Sequence, residues 1–238
     1  MGGILIVGAG GHGKVVADIA YSSGRWGDIA FLDDHYPEFT QVGEWKVIGK
    51  ATETNRFREE YPEAIVAIGA NSVRLEMQNK MSHAGFQFPV LIHPHASVSE
   101  FVSIGDGSVI CAQAAIIIGS RIGLGTIVNT GASVGHDCAL KDGVHVAPGV
   151  RLAGGVSVGE CSWIGIGAVV KEYVTIGRWV MVGAGSTIIR DIPDGVTVVG
   201  SPGKIICVHG KKDPTDQSKC GDGSLDLCPL RTRGGLKL

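Results

Sequence analysis

The sequence predicts a two-part fold: a small α/β half-domain of βαβαβ type, then a prism of short parallel strands. Three observations predict it. A glycine-rich strand–turn–helix motif opens the chain, aliphatic residues recur every six positions through its second half, and glycine is abundant where aromatics are scarce. Of 238 residues 37 are glycine, while aromatics make up 6%. That glycine content is about twice ordinary usage, so the core must be built from Val, Ile, Leu and Ala. The 21 basic and 23 acidic residues leave a net charge of −2, with no basic surplus to track a phosphate backbone. Nucleic acid is therefore not an expected partner.

The N-terminal part comes first. Ile4-Leu5-Ile6-Val7 has the length of a buried strand, and Gly8-Ala9-Gly10-Gly11-His12-Gly13 follows it. A helix is expected from Lys14 to about Ser23, with Val15, Val16, Ile19 and Ala20 on its apolar face. Gly8, Gly10 and Gly13 satisfy G-x-G-x-x-G in strand–turn–helix context, and Asp33-Asp34 stand about twenty residues on, after the second strand Ile29–Leu32. Such glycines let backbone approach a ligand, and the helix N-terminus offers unpaired N–H groups. Ile65-Val66-Ala67-Ile68-Gly69 reads as the third strand, ending at a ligand-facing crevice. Residues 1–90 suffice for one such half and not for a six-stranded dinucleotide sheet. A mononucleotide-type ligand is expected, with a purely structural glycine turn as the other reading.

The prism follows from one count. Stepping by six from Val98 to Ile188 meets sixteen positions, and all hold Ile, Leu or Val. Four positions further on in each hexad the residue is small or β-branched, as at Ser108, Ala114, Ser120, Ala132 and Cys138. Glycine often follows the aliphatic residue directly, as at Gly105, Gly123, Gly135 and Gly159, where it is expected to supply turn dihedrals. Six is neither the helical nor the strand period. It fits two-residue strands joined by corners, three hexads to a coil. The sixteen hexads make just over five coils, about 25 Å tall at ~4.8 Å per coil.

The hexad pattern resembles the hexapeptide repeat of the left-handed parallel β-helix, and the resemblance supplies the handedness. The whole chain resembles the sugar acetyltransferases that join a Rossmann-like domain to such a β-helix. These include UDP-4-amino-sugar N-acetyltransferases of the bacillosamine pathway, perosamine N-acetyltransferases and sialic acid O-acetyltransferases. The motifs that carry it are Gly8–Gly13, Phe31-Leu32-Asp33-Asp34, Ala67-Ile68-Gly69, Ile92-His93-Pro94, Asn129-Thr130, His136-Asp137, His145, Ala153-Gly154-Gly155 and Gly200-Ser201-Pro202-Gly203-Lys204. The resemblance implies a nucleotide-sugar domain over residues 1–90 and an acetyltransferase β-helix over 91–206. It also implies a homotrimer with active sites between neighbouring prisms, and acetyl-CoA as co-substrate without a metal.

It further implies roles for particular residues. His136 is expected as general base for the sugar 4-amino group, since imidazole is the side chain suited to proton exchange near neutral pH. Asp137 stands where the bacillosamine branch carries glutamate, one methylene longer, and a backbone N–H near Gly154 is expected to meet the thioester oxygen. Position 154 lies one coil above His136, and as glycine it leaves room that would suit a thioester. His145, Gly155, Ile166, Gly183 and Lys204 are expected at acetyl-CoA. Gly10, Gly11 and His12 are expected at the sugar-nucleotide phosphates, Asp33 and Asp34 at base or ribose with Gly69 nearby, and Arg74 is placed to pair with a phosphate. Read on their own, His136 is also compatible with a solvated turn histidine, His145 with a surface residue, and Arg74 with an exposed helix arginine.

Two other functions fit parts of the pattern. A β-helical zinc enzyme needs three converging histidines, whereas the prism offers only His136 and His145. A non-catalytic nucleotide-sugar-binding protein would have no need of His136. Six scattered cysteines form no CxxC pair, and Cys138 at a corner is expected to be buried. No signal peptide or membrane span is expected, which points to a soluble cytoplasmic protein with reduced thiols. Residues 207–238 are polar and aperiodic, and read as a disordered or terminal extension.

Overall fold

A computed structural model describes residues 2–210; the expectation for the tail therefore lies largely outside the described residues. The opening apolar run forms β1 (Gly3–Val7), and α1 (Gly11–Ser23) begins three residues earlier than expected, with Gly10 as its N-cap. Gly8 adopts φ +106°, and a Cβ at Gly13 would collide with the Gly8 carbonyl. These two glycines close the turn and bring the helix onto the strand.

The expected α/β half-domain is present, with a hairpin and a 3-10 segment in place of its second crossover helix. β2 (Asp28–Leu32) pairs parallel with β1. A hairpin follows, β3 (Gln41–Val42) and β4 (Trp45–Gly49), of which β4 pairs parallel with β2. The chain returns through a 3-10 segment (Ala51–Phe57), not an α-helix, to β5 (Glu63–Val66) beside β1. The strand order is β3-β4-β2-β1-β5. Strands this short carry too little alternation to be read from sequence.

α2 (Asn71–His83) is the unusual element, because the side chains it buries include Asn71, Arg74 and Gln78. These donate to prism carbonyls. Gln78 reaches Asp106 O (2.8 Å), Arg74 reaches Gly125 O and Gly143 O (2.8 and 2.9 Å), and Asn71 reaches Cys161 O (3.1 Å). Those acceptors lie along one corner of the prism on four successive coils, so α2 runs down that corner on a polar face.

The prism follows the hexad register. Each two-residue strand pairs parallel with the strand 18 residues on, as Ala115↔Ser133 and Ile116↔Val134. Three sheets result, of six, five and eight strands. The eight-stranded one begins at β6 (Leu91–Ile92), one hexad earlier than counted, and ends with Val196–Val199 and the antiparallel Lys204–Val208. Cys207 and Val208 thus belong to a strand and not to the tail. The repeated aliphatic residues from Ile110 to Ile188 fill the interior, each at most 4% exposed. Fully burying one such side chain stabilises by about 1.5–3 kcal/mol.

Two details correct the sequence reading. The glycines straight after the aliphatic residue do not supply turn dihedrals. Positive φ falls two residues later, at Gly119, Gly131 and Gly149 among others, and at the non-glycines Gln113, Asp137, Cys161, Tyr173 and Trp179. Gly135 and Gly159 are needed for close approach, because a Cβ there would lie 2.7 and 2.5 Å from carbonyl carbons of the next coil. The small-residue position also forms a hydrogen-bond ladder. Ser120 Oγ donates to Gly135 O (2.7 Å) and accepts from Cys138 N (3.1 Å), so its burial leaves nothing unsatisfied.

Candidate active site

His136 and Asp137 sit at the corner between the six- and five-stranded sheets. Asp137 has φ +57°, and this left-handed turn swings its carboxylate back to His136 Nδ1, at 2.8 Å. The shorter side chain of Asp137 therefore still reaches the imidazole. With Nδ1–H directed at the carboxylate, Nε2 carries the lone pair and can accept a proton. Both side chains are exposed. The space left by Gly154 is filled differently from expectation. A Cβ there would collide with the edge of the imidazole at Nε2 and Cε1, so glycine seats the ring and does not leave a void for a thioester. A Cβ at Gly155 would likewise lie 2.5 Å from Tyr173 Cδ1, so Tyr173, 73% exposed, lays its ring beside the same corner. Sequence reasoning passed over Tyr173, for which the repeat gives no signal. Cys138 is buried, its thiol pushed up by burial, and Sγ points at Ala153 O (3.2 Å).

The residues expected at acetyl-CoA are not gathered at that corner. Only Gly155 lies there. Ile166, 57% exposed, and Gly183 line the corner between the eight- and six-stranded sheets, and Lys204 is exposed at the start of the last strand. His145 is 5% exposed on the eight-stranded sheet, which excludes the surface reading. Its ring lies 3.9 Å from that of Trp163 and 6.2 Å from that of His12, and Nε2 is 3.3 Å from Asn129 Nδ2. His12 on α1 thus faces His145 across the junction. His12 Nε2 and His145 Nδ1 are sealed from solvent without a hydrogen-bond partner. Burial, followed by the Arg74 charge, lowers His12 to about 4 and His145 well below its ordinary value, so both rings are neutral.

Around the nucleotide crevice, positions 10, 11 and 69 face open space, with nothing within 4 Å of where a Cβ would stand. Asp33 accepts from Ala9 N (2.8 Å), His35 N (3.0 Å) and His35 Nδ1 (2.8 Å). Burial raises the Asp33 carboxyl, but these donors outweigh it and hold the group below its ordinary value. Asp34 accepts from Ala51 N (3.2 Å). Both aspartates therefore brace the loops that frame the crevice. Arg74 is neither at a phosphate nor on an exposed helix face. It is 1% exposed, with its donors turned to protein acceptors.

No group of three His, Cys, Asp or Glu side chains able to hold a metal occurs among the described residues. The structure thus presents an exposed imidazole–carboxylate pair on a coil of hexads, and comparison with known proteins supplies the class, that of hexapeptide-repeat acetyltransferases. Residues 3–81 match the PglD N-terminal domain, and residues 155–190 match the bacterial transferase hexapeptide (six repeats). The chain is 30% identical over 156 residues to GDP-perosamine N-acetyltransferase of Escherichia coli O157:H7, a match covering 63% of this chain and 68% of that one. It is similar to the acetyltransferase domain of PglB from Neisseria gonorrhoeae FA1090, solved with acetyl coenzyme A. The identity is 44% and the TM-score 0.82, over 85% of this chain and 98% of that one. PerB from Caulobacter crescentus, solved with CoA and GDP-perosamine, is 40% identical with TM-score 0.80, over 86% and 97%. The chain belongs to this family of acetyl-CoA-dependent nucleotide-sugar N-acetyltransferases.

Proposed function

We propose that the enzyme acetylates the 4-amino group of a nucleotide-linked 4-amino-4,6-dideoxy sugar, with His136 as general base. The observation that carries this reading is the His136 ring, seated on Gly154 and oriented through Nδ1 by Asp137. The sugar amine attacks the thioester carbonyl, and Nε2 takes the proton that the nitrogen sheds. The C–S bond breaks, and the imidazolium returns that proton to the departing CoA thiolate. No acyl-enzyme is needed, since Cys138 is buried and its thiol is held protonated. UDP is the assigned nucleotide, on the resemblance of the motifs to the bacillosamine-pathway enzymes. The GDP-perosamine bound by PerB makes GDP the arm to compare.

In this reading acetyl-CoA runs along the corner of Ile166 and Gly183, with His145, Gly155 and Lys204 contributing contacts. The crevice of Gly10, Gly11, His12 and Gly69 takes the sugar nucleotide. The His136 corner and the Ile166–Gly183 corner are different corners of one prism, which supports a homotrimer whose site is shared between copies. Among the described residues no helix is long and apolar enough to cross a membrane; the reaction is assigned to the cytoplasm, where its acetyl donor is made and used.

The test is CoA release from acetyl-CoA with UDP- and GDP-linked 4-amino sugars and CMP-sialic acid, comparing wild type with His136→Ala. Turnover of a 4-amino sugar, reduced about a thousandfold in a folded His136→Ala, is expected. Turnover only of the sialic acid would make the enzyme an O-acetyltransferase. Full activity in His136→Ala would place the base elsewhere.

A further inference from the structure

The buried contacts of Arg74 join the two halves of the chain. Nη1 donates to Ile68 O (3.0 Å) and approaches Gly69 O (3.4 Å), on the loop that edges the nucleotide crevice. Nε donates to Gly125 O (2.8 Å) and Nη2 to Gly143 O (2.9 Å), on two successive coils of the prism. Nη2 also donates to Asn71 Oδ1 (2.8 Å), and Asn71 Nδ2 in turn donates to Cys161 O one coil higher. Gly143 lies two residues before His145, which faces His12 on the nucleotide side.

A guanidinium is an expensive way to hold two bodies together. Apolar side chains of similar volume generally do so without the desolvation of a charge, often with equal or greater stability. The planar fork does something an apolar contact does not, because it fixes several acceptors at one distance and one angle. We propose that Arg74 is a positioning residue that sets the nucleotide crevice at a fixed distance and register from the acetyl-transfer surface of the prism. It rests on the functional reading above insofar as the crevice delivers the sugar amine and the prism the acetyl group. Arg74 acts through Gly69 and Gly143 and touches neither substrate. The same charge helps keep His12 and His145 neutral.

The test uses the full chain with Arg74→Met and Arg74→Lys. Dissociation constants for UDP, GDP and acetyl-CoA are measured directly, kcat is measured well below each melting temperature, and hydrogen exchange is followed peptide by peptide. The expected result is a loss of at least about tenfold in kcat, since small misplacements of reacting groups carry such penalties. The three dissociation constants stay within about threefold, and exchange rises in peptides covering 67–70 and 143–146. Arg74→Lys, with three donors on one nitrogen, restores kcat only in part. A lowered melting temperature with unchanged kcat would reduce Arg74 to a structural latch and overturn the proposal. Weakened UDP or GDP binding with unchanged kcat would instead make it a ligand contact. If wild type turns over no 4-amino sugar, the functional reading fails by itself. Exchange then decides the clamp, and unchanged protection at both segments in the variants overturns it. Should Arg74→Met fail to fold, Arg74→Lys carries the same comparison.

Discussion

Gly154 shows how much one missing methyl group does at this corner. The His136 ring occupies the space where a Cβ would stand, while the Asp137 carboxylate holds the other side of the ring through Nδ1. Gly154→Ala is expected to push the imidazole off its seat and lower kcat about a hundredfold. Because the residue packs at an exposed turn, the melting temperature should change little. CoA-release assays beside thermal melts check this, and an active Gly154→Ala would show that the working imidazole does not need that seat. Asp137→Asn keeps the shape but removes the carboxylate acceptor that fixes the tautomer. About a tenfold fall in kcat is expected, with KM for acetyl-CoA little changed. A variant as fast as wild type would leave Asp137 without an orienting role.

At the scale of the coil, glycines at two positions of the hexad do different work. A Cβ at Gly135 would meet the backbone of the next coil at 2.7 Å, so Gly135→Ala must spread two coils. A loss of about 3 kcal/mol is expected, as for other overpacked backbone contacts. Gly149 has φ +68° but nothing within 4 Å, so Gly149→Ala meets only the left-handed penalty of about 1–2 kcal/mol. Urea denaturation of the two variants should rank them in that order. The reverse order would mean that turn dihedrals, and not coil spacing, limit the repeat. Asp137 and Tyr173 show that the turn itself tolerates side chains.

For the molecule as a whole, the junction between the two parts should make stability depend on pH. His12 is lowered from 6.5 to about 4 by burial and by Arg74, and His145 is also lowered well below its ordinary value, by burial first and then by Arg74. Between those values the unfolded chain binds protons that the folded chain does not, so stability rises with pH across this range. Falling from pH 7.5 to 5, His12 alone accounts for about 2 kcal/mol of lost stability. His35 is raised by Asp33 and so acts with opposite sign, but it is fully exposed and its effect is small. Asp33 is lowered, so its contribution is lost only below the usual carboxylate range. Chemical denaturation at the two pH values should show the fall, and His12→Gln should reduce it, leaving the share due to His145. An equal fall in that variant would locate the buried proton acceptor elsewhere.

Much of this architecture is written in local pattern. The sixteen-position aliphatic period requires a prism, because only a six-residue rung puts every such side chain inside, and Gly8 through Gly13 requires a strand turning into a helix. Those signals are periodic or contiguous, so neighbouring residues suffice to carry them. The residues of the candidate corner were also legible, through the likeness of His136-Asp137 and Gly154 to a known pattern. Their arrangement was not. Whether the space above Gly154 holds an imidazole or a substrate depends on a side chain 18 residues earlier. The burial of His145 depends on a helix that packs more than a hundred residues before it in the chain, and the partners of Arg74 lie up to 69 residues away. Side chains on a helix as polar as α2 look solvated in sequence, since nothing local reveals a column of carbonyls waiting at a prism corner. The sequence by itself determined the rungs, the glycine turn and the chemical groups. Only tertiary structure decided which of those groups meet, because packing between the two halves joins atoms that share no local signal.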